Sequence, residues 1–262
     1  MNYVPRELRE TADVSRGRFD ARDTAVRVLR LGLVLAVAYV ALGFVAEGVA
    51  TWLPTSWEAR LMVPERWRTT GDHEAARTRA EATLERLLAG GAVRPLPYRV
   101  VVIESATPNA FAIPGGTIGV TSALIERVES ERGLAMVLAH ELGHHHERHT
   151  VRRLGRALLL YVPVALVLGD QGTVTGITLQ LAERRHSRAQ ERAADALGLR
   201  LVHEAYGDTS GALEFFEKVQ RETAGGAPVW SGFVATHPPT AERIEALEAL
   251  ARELEGRAPG PG

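Results

Sequence analysis

The five residues from His140 to His144 read H-E-L-G-H, and they constrain the fold of this chain more than any other pattern in it. Two histidines four positions apart lie on one face of an α-helix, where they can share a single Zn²⁺ at ~2.0–2.1 Å. Glu141 then lies one step round the helix, beside the metal, where a general base belongs. Ser130 can cap such a helix, and an apolar rhythm of helical period leads from it into the motif. The pattern therefore predicts a helix that carries two metal ligands and a base.

The end of this predicted helix leaves a plainer alternative open. His145, His146 and His149 follow the motif at once, so the segment could be an exposed, histidine-rich helix end. That alternative leaves the acidic residues of the segment at 187–195, described next, unexplained. Gly143, within the motif, costs ~1 kcal/mol in helix propensity relative to alanine. We expect a glycine there if another backbone or a substrate approaches the metal face closely.

A catalytic zinc site also needs a third protein ligand and an open fourth position. The metzincin pattern is excluded, because its glycine and third histidine are replaced here by a glutamate and a threonine. The segment S-R-A-Q-E-R-A-A-D at 187–195 supplies a glutamate from a second helix instead. Glu191 and Asp195 are four residues apart, so Glu191 can complete the zinc shell while Asp195 accepts the N–H of His140. A surface helix with an ordinary Arg/Glu pattern is the alternative.

Four ordered segments carry a resemblance to a known family. They are N-A-F-A-I-P-G-G at 109–116, H-E-L-G-H at 140–144, S-R-A-Q-E-R-A-A-D at 187–195 and T-H-P-P-T-A-E-R-I at 236–244. Together they resemble the HtpX and CAAX prenyl endoprotease family, metallopeptidase family 48, of the gluzincin type, over roughly residues 72–254. The resemblance implies an α+β, mostly helical, zincin-like catalytic domain with a small β-sheet and one Zn²⁺ per chain. It would assign His140, His144 and Glu191 as ligands and Glu141 as the catalytic acid/base.

The function that this resemblance implies is a membrane-anchored zinc metalloendopeptidase that hydrolyses peptide bonds of protein or peptide substrates. Membrane or envelope protein quality control is the setting we expect for it. The alternative is a non-catalytic or latent membrane-tethered zinc protein that acts as a binding or chaperone-like module. Glu141 favours the enzyme, because a purely structural zinc site has no use for a carboxylate beside its metal.

His237 is a further candidate, because two prolines follow it and hold the backbone extended. It could stabilise an oxyanion as a catalytic group, or bind zinc transiently as a fourth ligand in a resting state. It could equally be a loop histidine with structural hydrogen bonds, and the sequence does not decide between these roles. Arg243 could bind a substrate carbonyl or a helix-end carboxylate, and the sequence favours the structural role.

Two strands are predicted before the metal-binding helix. The segments Y-R-V-V-V-I-E at 98–104 and T-I-G-V-T at 117–121 are rich in β-branched residues, and P-G-G at 114–116 predicts the turn into the second. If the second strand lies at a sheet edge beside the zinc, an extended peptide could pair with it. We therefore expect substrate contacts from the second strand, and the alternative is a hairpin that covers the core. The expected substrate-binding residues are Thr117, Ile118, Gly119 and Val120.

Residues 31–53 form an apolar run in which Glu47 is the only charge, and about 20 apolar residues span a bilayer. Trp52 and Trp57 suit the membrane interface. A cleaved signal peptide is the alternative, but the 30-residue leader and the long apolar core favour an uncleaved anchor. More arginines flank the run on its N-terminal side, which predicts a cytoplasmic N-terminus and a catalytic domain on the periplasmic or outer face. They are Arg16, Arg18, Arg22, Arg27 and Arg30 before the run, and Arg60, Arg66 and Arg68 after it.

These features divide the chain into five predicted segments. They are an arginine-rich segment at 1–30, a transmembrane helix at 31–53, a juxtamembrane linker at 54–71, a zinc metallopeptidase domain at 72–254 and a flexible tail at 255–262. A second apolar stretch at 157–169 is too short to cross a bilayer, so we expect a helix that packs on the domain or dips into the interface. The formal net charge of −1 gives no electrostatic case for nucleic acid, and the absence of cysteine excludes thiolate zinc ligands.

Overall fold

The computed structural model describes residues 21–52, 54–60, 73–157, 186–226 and 228–256. The chain divides into two compact units, Met1–Leu42 and Gly43–Gly262. The helices are α1 (Ala21–Trp52), α2 (Thr55–Glu58), α3 (Glu74–Gly90), α4 (Ser122–Arg127), α5 (Glu131–His146), α6 (Arg188–Tyr206), α7 (Glu214–Ala224), α8 (Ser231–Thr236) and α9 (Ala241–Gly256). The strands are β1 (Arg99–Ile103), β2 (Ala110–Ile113) and β3 (Thr117–Thr121), and residues 149–157 are also helical. The predicted mostly helical α+β fold with a small sheet is confirmed.

Several predictions concern residues outside this description. They include the first 20 residues of the arginine-rich segment, the linker from residue 61 to 71, and the tail from residue 257 on. The second apolar stretch lies outside it from residue 158 on. The predictions for these segments remain predictions.

Helix α1 contains most of the predicted apolar run but begins earlier, at Ala21. Its stretch Arg22–Val45 is 24 residues long, strongly apolar and almost entirely unburied. By length and composition α1 could therefore cross a membrane. Its large apolar side chains, such as Leu29 and Leu33, are exposed, and a long exposed apolar surface of this kind is stable only when lipid or another apolar surface covers it.

The three strands form one mixed sheet in the order β1-β3-β2. Strand β3 runs parallel to β1 and antiparallel to β2. Gly119 of β3 lies under the ring of Phe111, and a Cβ atom there would lie only 2.7 Å from that ring. Gly115 and Gly116 have φ values of 96° and 90°, so the tight turn between β2 and β3 requires glycine. Both predicted strands are present, and β2 is an additional one.

The prediction that β3 is a sheet edge is wrong. Strand β3 lies between β1 and β2 and pairs with both, so its main-chain groups are already engaged. Every residue from Thr117 to Thr121 is buried. Thr117, Ile118, Gly119 and Val120 are therefore not available to pair with an extended peptide. The edge next to β3 is β2, which has no strand on its other side among the described residues.

Helix α5 carries the H-E-L-G-H motif through the centre of the larger unit. Ser130 caps it, as predicted, and accepts a hydrogen bond from the backbone N–H of Gly133 at 2.9 Å. Each residue from Gly133 to His145 is buried, because α3, α6, α7 and the sheet surround the helix. The motif is thus part of the core and not an exposed helix end.

Helices α5 and α6 approach each other at two glycines, one on each helix. A Cβ atom on Gly143 would lie 2.7 Å from the backbone Cα and O of Ala194. A Cβ atom on Gly198 would lie 3.0 Å from the backbone N of His140. The expectation that Gly143 allows a close backbone approach is confirmed, and the approaching backbone is that of α6. This contact brings the first turns of α6 beside the two histidines of the motif.

We expect Gly143→Ala to lower the free energy of unfolding by about 1–3 kcal/mol, because the new methyl group meets backbone atoms that cannot rotate away. Alanine is the better helix former, so an effect of propensity alone would have the opposite sign. Urea unfolding of both proteins measures the difference. Gly256→Ala is the matched control, because open space surrounds Gly256 at the end of α9. Equal stability of Gly143→Ala and wild type would mean that the helices can separate freely.

A buried ion pair joins the end of α5 to the segment that precedes α3. Arg148 follows α5 with a φ of 58°, a conformation that few non-glycine residues adopt. Its Nη2 lies 3.3 Å from Oε2 of Glu58, a residue of α2 that is fully buried. Arg148 also donates a hydrogen bond to the carbonyl of Thr51. Residues at the start of the predicted linker therefore pack against the end of the helix that carries the motif.

Candidate metal centre

His140 and His144 project from α5 into the same buried space. Their Nε2 atoms lie 3.1 Å apart, and both side chains are almost completely inaccessible to solvent. Burial lowers the pKa of His144 well below its usual value, which favours the neutral ring that a metal ligand must present. The two imidazoles therefore present a pair of closely spaced nitrogen donors, as the motif predicts.

Glu191 and His237 come to this pair from α6 and from the end of α8. A carboxylate oxygen of Glu191 lies 3.4 Å from Nε2 of His144, and the other lies 3.6 Å from Nε2 of His140. His237 directs its Nδ1 into the same group, 3.2 Å from Nε2 of His140 and 3.2 Å from Oε1 of Glu191. The group thus contains three imidazole nitrogens and one carboxylate from distant parts of the chain.

The spacing of these donor atoms fits a small tetrahedral cation. A four-coordinate ion with bonds of ~2.0–2.1 Å has ligand atoms about 3.3–3.4 Å apart. The separations between donor atoms given above run from 3.1 to 3.6 Å. A set of nitrogen donors with one carboxylate is also a usual donor set for zinc. The residues that are present therefore fit a metal ion.

Asp195 lies one turn after Glu191 on α6, and its Oδ1 is 2.9 Å from Nδ1 of His140. A carboxylate in this place can accept the N–H of a ligating histidine and fix its tautomer. Burial acts to raise the pKa of Asp195, but its bonds with Arg243 and His140 outweigh that effect and lower it. The carboxylate is therefore ionised and able to accept.

Arg243 is the site residue whose importance the sequence understated. It donates two hydrogen bonds to Asp195, both at 2.7 Å, and its Nη1 lies 2.7 Å from Oε2 of Glu191. It also donates to the carbonyl of Pro238 at 2.9 Å, beside His237. The carboxylates that it binds lie at the centre of the site, and one of them, Glu191, is in the first turn of α6, so the expected contact with a helix-end carboxylate is present. Its sequence signal was its place in the T-H-P-P-T-A-E-R-I segment, seven residues after Thr236.

Glu141 lies beside the donor group without belonging to it. Its side chain is fully buried, and neither carboxylate oxygen has a hydrogen-bond partner among the described residues. Oε1 lies 3.5 Å from Nε2 of His237. Burial raises the pKa of Glu141, while His237, His140 and the backbone of Ala112 on β2 oppose the rise. Apart from His237 and the backbone of Ala112 it has few polar contacts among the described residues, and a buried carboxyl of this kind is costly to keep, so it points to a chemical role.

A small pocket lies on the side of α6 and α9, and the residues that line it include Glu191, Arg243, Pro238 and Thr240. His145, which directly follows the motif, has a structural role. Its ring hydrogen-bonds the carbonyl of Thr117 at 3.1 Å. Burial lowers the pKa of His145 to about 4, which keeps this ring neutral. His145 therefore supports the sheet and stays outside the donor group.

Comparisons with known proteins agree with this geometry. The model of peptidase family M48 matches residues 74–251. The mitochondrial metalloendopeptidase OMA1 of Schizosaccharomyces pombe is 32% identical over 176 residues, which are 66% of this chain and 52% of the relative. OMA1 of Saccharomyces cerevisiae is 33% identical over 156 residues, 56% of this chain and 44% of the relative. A putative beta-barrel assembly-enhancing protease of Vibrio cholerae is 28% identical over 186 residues, 64% and 37% of the two chains. This chain therefore spans about half or less of the length of these relatives.

Proposed function

This chain belongs to peptidase family M48, and from that premise we propose that it is a zinc-dependent endopeptidase that hydrolyses peptide bonds of protein substrates. The observation that carries the proposal is Glu141, a fully buried carboxyl that lies beside a group of four closely spaced donor residues without belonging to it. The names of the relatives, metalloendopeptidase and assembly-enhancing protease, support the same reaction class. Protein quality control at a membrane or envelope is the setting that we propose.

The metal would be held by His140, His144 and Glu191, and we propose one Zn²⁺ per chain. The chemistry that zinc supplies when bound is Lewis acidity, which lowers the pKa of a coordinated water toward ~7 and polarises a peptide carbonyl. Asp195 fixes the ring of His140, and Arg243 holds the carboxylates of Glu191 and Asp195 in place.

Glu141 would act as the base and then as the acid. It accepts a proton from the attacking water and delivers that proton to the leaving amine. The burial that raises its pKa moves it toward neutrality, where one carboxyl can both take up and release a proton.

His237 supports a resting state of the proposed enzyme. Its Nδ1 lies within the donor group, so it would occupy the fourth position that a catalytic site keeps open. Of the roles that the sequence leaves open, this contact favours the transient fourth ligand, and turnover would require His237 to move away. The latent form of the protein is therefore a state of the same enzyme.

We propose that substrate pairs with the edge strand β2 in an extended conformation. Strand β2 is the outer strand of the sheet among the described residues, and the backbone of Ala112 on this strand lies close enough to Glu141 to affect its pKa. Main-chain pairing at β2 would hold a peptide bond near Glu141 with little dependence on side chains.

The length and composition of α1 support a single membrane anchor. The arginine distribution supports a cytoplasmic N-terminus with the catalytic domain on the other side. Alkaline extraction of membranes that contain the full chain would release it if α1 does not span the bilayer.

Metal removal tests the proposed function. We expect a chelator to abolish cleavage of an unfolded protein such as casein by the detergent-purified full chain, and one equivalent of Zn²⁺ to restore it. Metal analysis before and after dialysis gives the stoichiometry. Cleavage that persists in fully metal-free protein would contradict the proposal. If one zinc is bound but no unfolded substrate is cleaved, His237→Ala separates the two remaining cases: cleavage by this variant would show the resting enzyme, and no cleavage would favour the non-catalytic binding module.

A further inference from the structure

A second group of buried histidines lies next to the proposed metal centre and shares one residue with it. The group consists of His144, His149 and His186. Nδ1 of His144 lies 2.9 Å from Nδ1 of His149, whereas Nε2 of His144 faces Glu191 and His140. The two nitrogens of this one ring thus face different neighbours.

The turn after α5 brings His149 to this place. The chain leaves the helix at Glu147, and Arg148 takes the left-handed conformation with a φ of 58°. A new helical segment then starts at residue 149. Because the chain turns here, His149 lies beside His144, five residues earlier, and both rings are buried. The ring of His186 stacks on the ring of His144, and the two ring centroids are 3.8 Å apart.

The tautomer of His144 determines what His149 must do. If Nε2 of His144 binds a metal, its lone pair is used there and the proton of the neutral ring lies on Nδ1. A buried N–H needs an acceptor, and Nδ1 of His149 is at hydrogen-bonding distance. His149 then accepts at Nδ1 and carries its own proton on Nε2. This arrangement parallels the contact between Asp195 and His140.

A second metal ion at this group is the competing interpretation, and the surrounding charges oppose it. Nδ1 of His186 is already in contact with the guanidinium of Arg153. The positive charges of Arg152 and Arg153 also act on His149. Two guanidinium groups beside three neutral rings make a poor site for a cation, since no carboxylate belongs to the group.

We propose that His149 is a positioning residue for the metal ligand His144: it accepts the Nδ1–H of His144 and so fixes the tautomer and the orientation of that ring. The proposal rests on the proposed metal binding at His140, His144 and Glu191. Partners of this kind typically contribute 10–100-fold to metal affinity. Replacing His149 should therefore weaken metal binding directly and lower the turnover rate only as a consequence of that loss.

The test compares zinc affinity and the rate of zinc release to a chromogenic chelator for the full chain in detergent. We expect His149→Leu to weaken zinc binding 10–100-fold. His149→Asn should restore most of the affinity, because its amide oxygen lies where Nδ1 was. His149→Gln places its oxygen further along the side chain and should remain weak. His146→Leu is the control, since it removes a histidine of the same run outside both groups. The absorption of the cobalt-loaded proteins reports whether the ligand geometry changes.

Each outcome bears on the proposal. Wild-type affinity in both His149→Leu and His149→Gln would overturn it and leave the proposed function intact. Two metal ions per wild-type chain, with one lost on replacing His149, would overturn it in favour of a second metal site. No metal in the wild type would overturn the proposed function and this inference together. If His149→Leu fails to fold, which the thermal unfolding of the metal-free protein reports, the comparison of the asparagine and glutamine variants decides.

Discussion

Replacing Glu141 with glutamine is expected to leave the bound metal in place and to lower the rate of peptide-bond hydrolysis by about 10²–10⁴-fold. Glutamine has the same shape but cannot take up the proton of the attacking water. Glu141 lies beside the donor group and outside it, so its replacement removes no proposed ligand. The wild-type carboxyl makes no hydrogen bond to a side chain within the described part of the chain, so little structure depends on it.

Metal content and cleavage of an unfolded substrate, measured on the same preparations, check this expectation. Glu147→Gln is the matched control, because this glutamate follows α5 directly and takes no part in the donor group. Equal metal content with cleavage only in the wild type and in Glu147→Gln would support Glu141 as the base. Near-normal cleavage by Glu141→Gln would remove Glu141 from the mechanism, whatever the metal content.

Replacing Arg243 with methionine is expected to lower the free energy of unfolding by about 3–5 kcal/mol. Arg243 is buried and contacts two buried carboxylates, Asp195 and Glu191, each at 2.7 Å. Methionine fills a similar volume but leaves these carboxylates without their cation, and an uncompensated buried charge is costly. The loss should be greater in metal-free protein, because a metal bound by Glu191 would supply part of the missing positive charge.

Urea unfolding with and without chelator measures this loss. Arg192→Met is the matched control, because Arg192 also joins α6 to α9 through Glu242, but at an exposed position. An exposed pair contributes only about 0–1 kcal/mol, so this variant should be close to wild type. Arg243→Lys should recover part of the stability, since it keeps the charge but cannot form the two parallel bonds to Asp195. Equal losses in Arg243→Met and Arg192→Met would contradict the assignment.

The parts of the site that the sequence predicts are those set by local spacing. His140 and His144 lie on one helix face because they are four residues apart, and Glu191 and Asp195 share a face for the same reason. Helical period also predicts that Gly143 permits a close approach. Each of these inferences needs only the geometry of one element, and the structure brings all four side chains together.

The parts that the sequence leaves open depend on pairing between distant segments. Arg243 meets Asp195 across 48 residues of chain, and His237 meets His140 across 97. No local pattern records such a contact. Strand β2 was missed because four residues without alternation, followed by a proline, give little strand signal. The order of strands in a sheet depends on pairing partners that periodicity does not identify, so the sequence does not show that β2, and not β3, lies at the edge of the sheet.

The buried ion pair between Glu58 and Arg148 limits how far the chain can be shortened from its N-terminal side without loss of a buried contact. The match to the family begins at residue 74, but the compact unit begins at Gly43 and includes the buried carboxylate of Glu58. A protein trimmed to the family match would lose the acid that Arg148 faces, immediately beyond the helix that carries the motif. The unit of folding is therefore larger than the unit of homology.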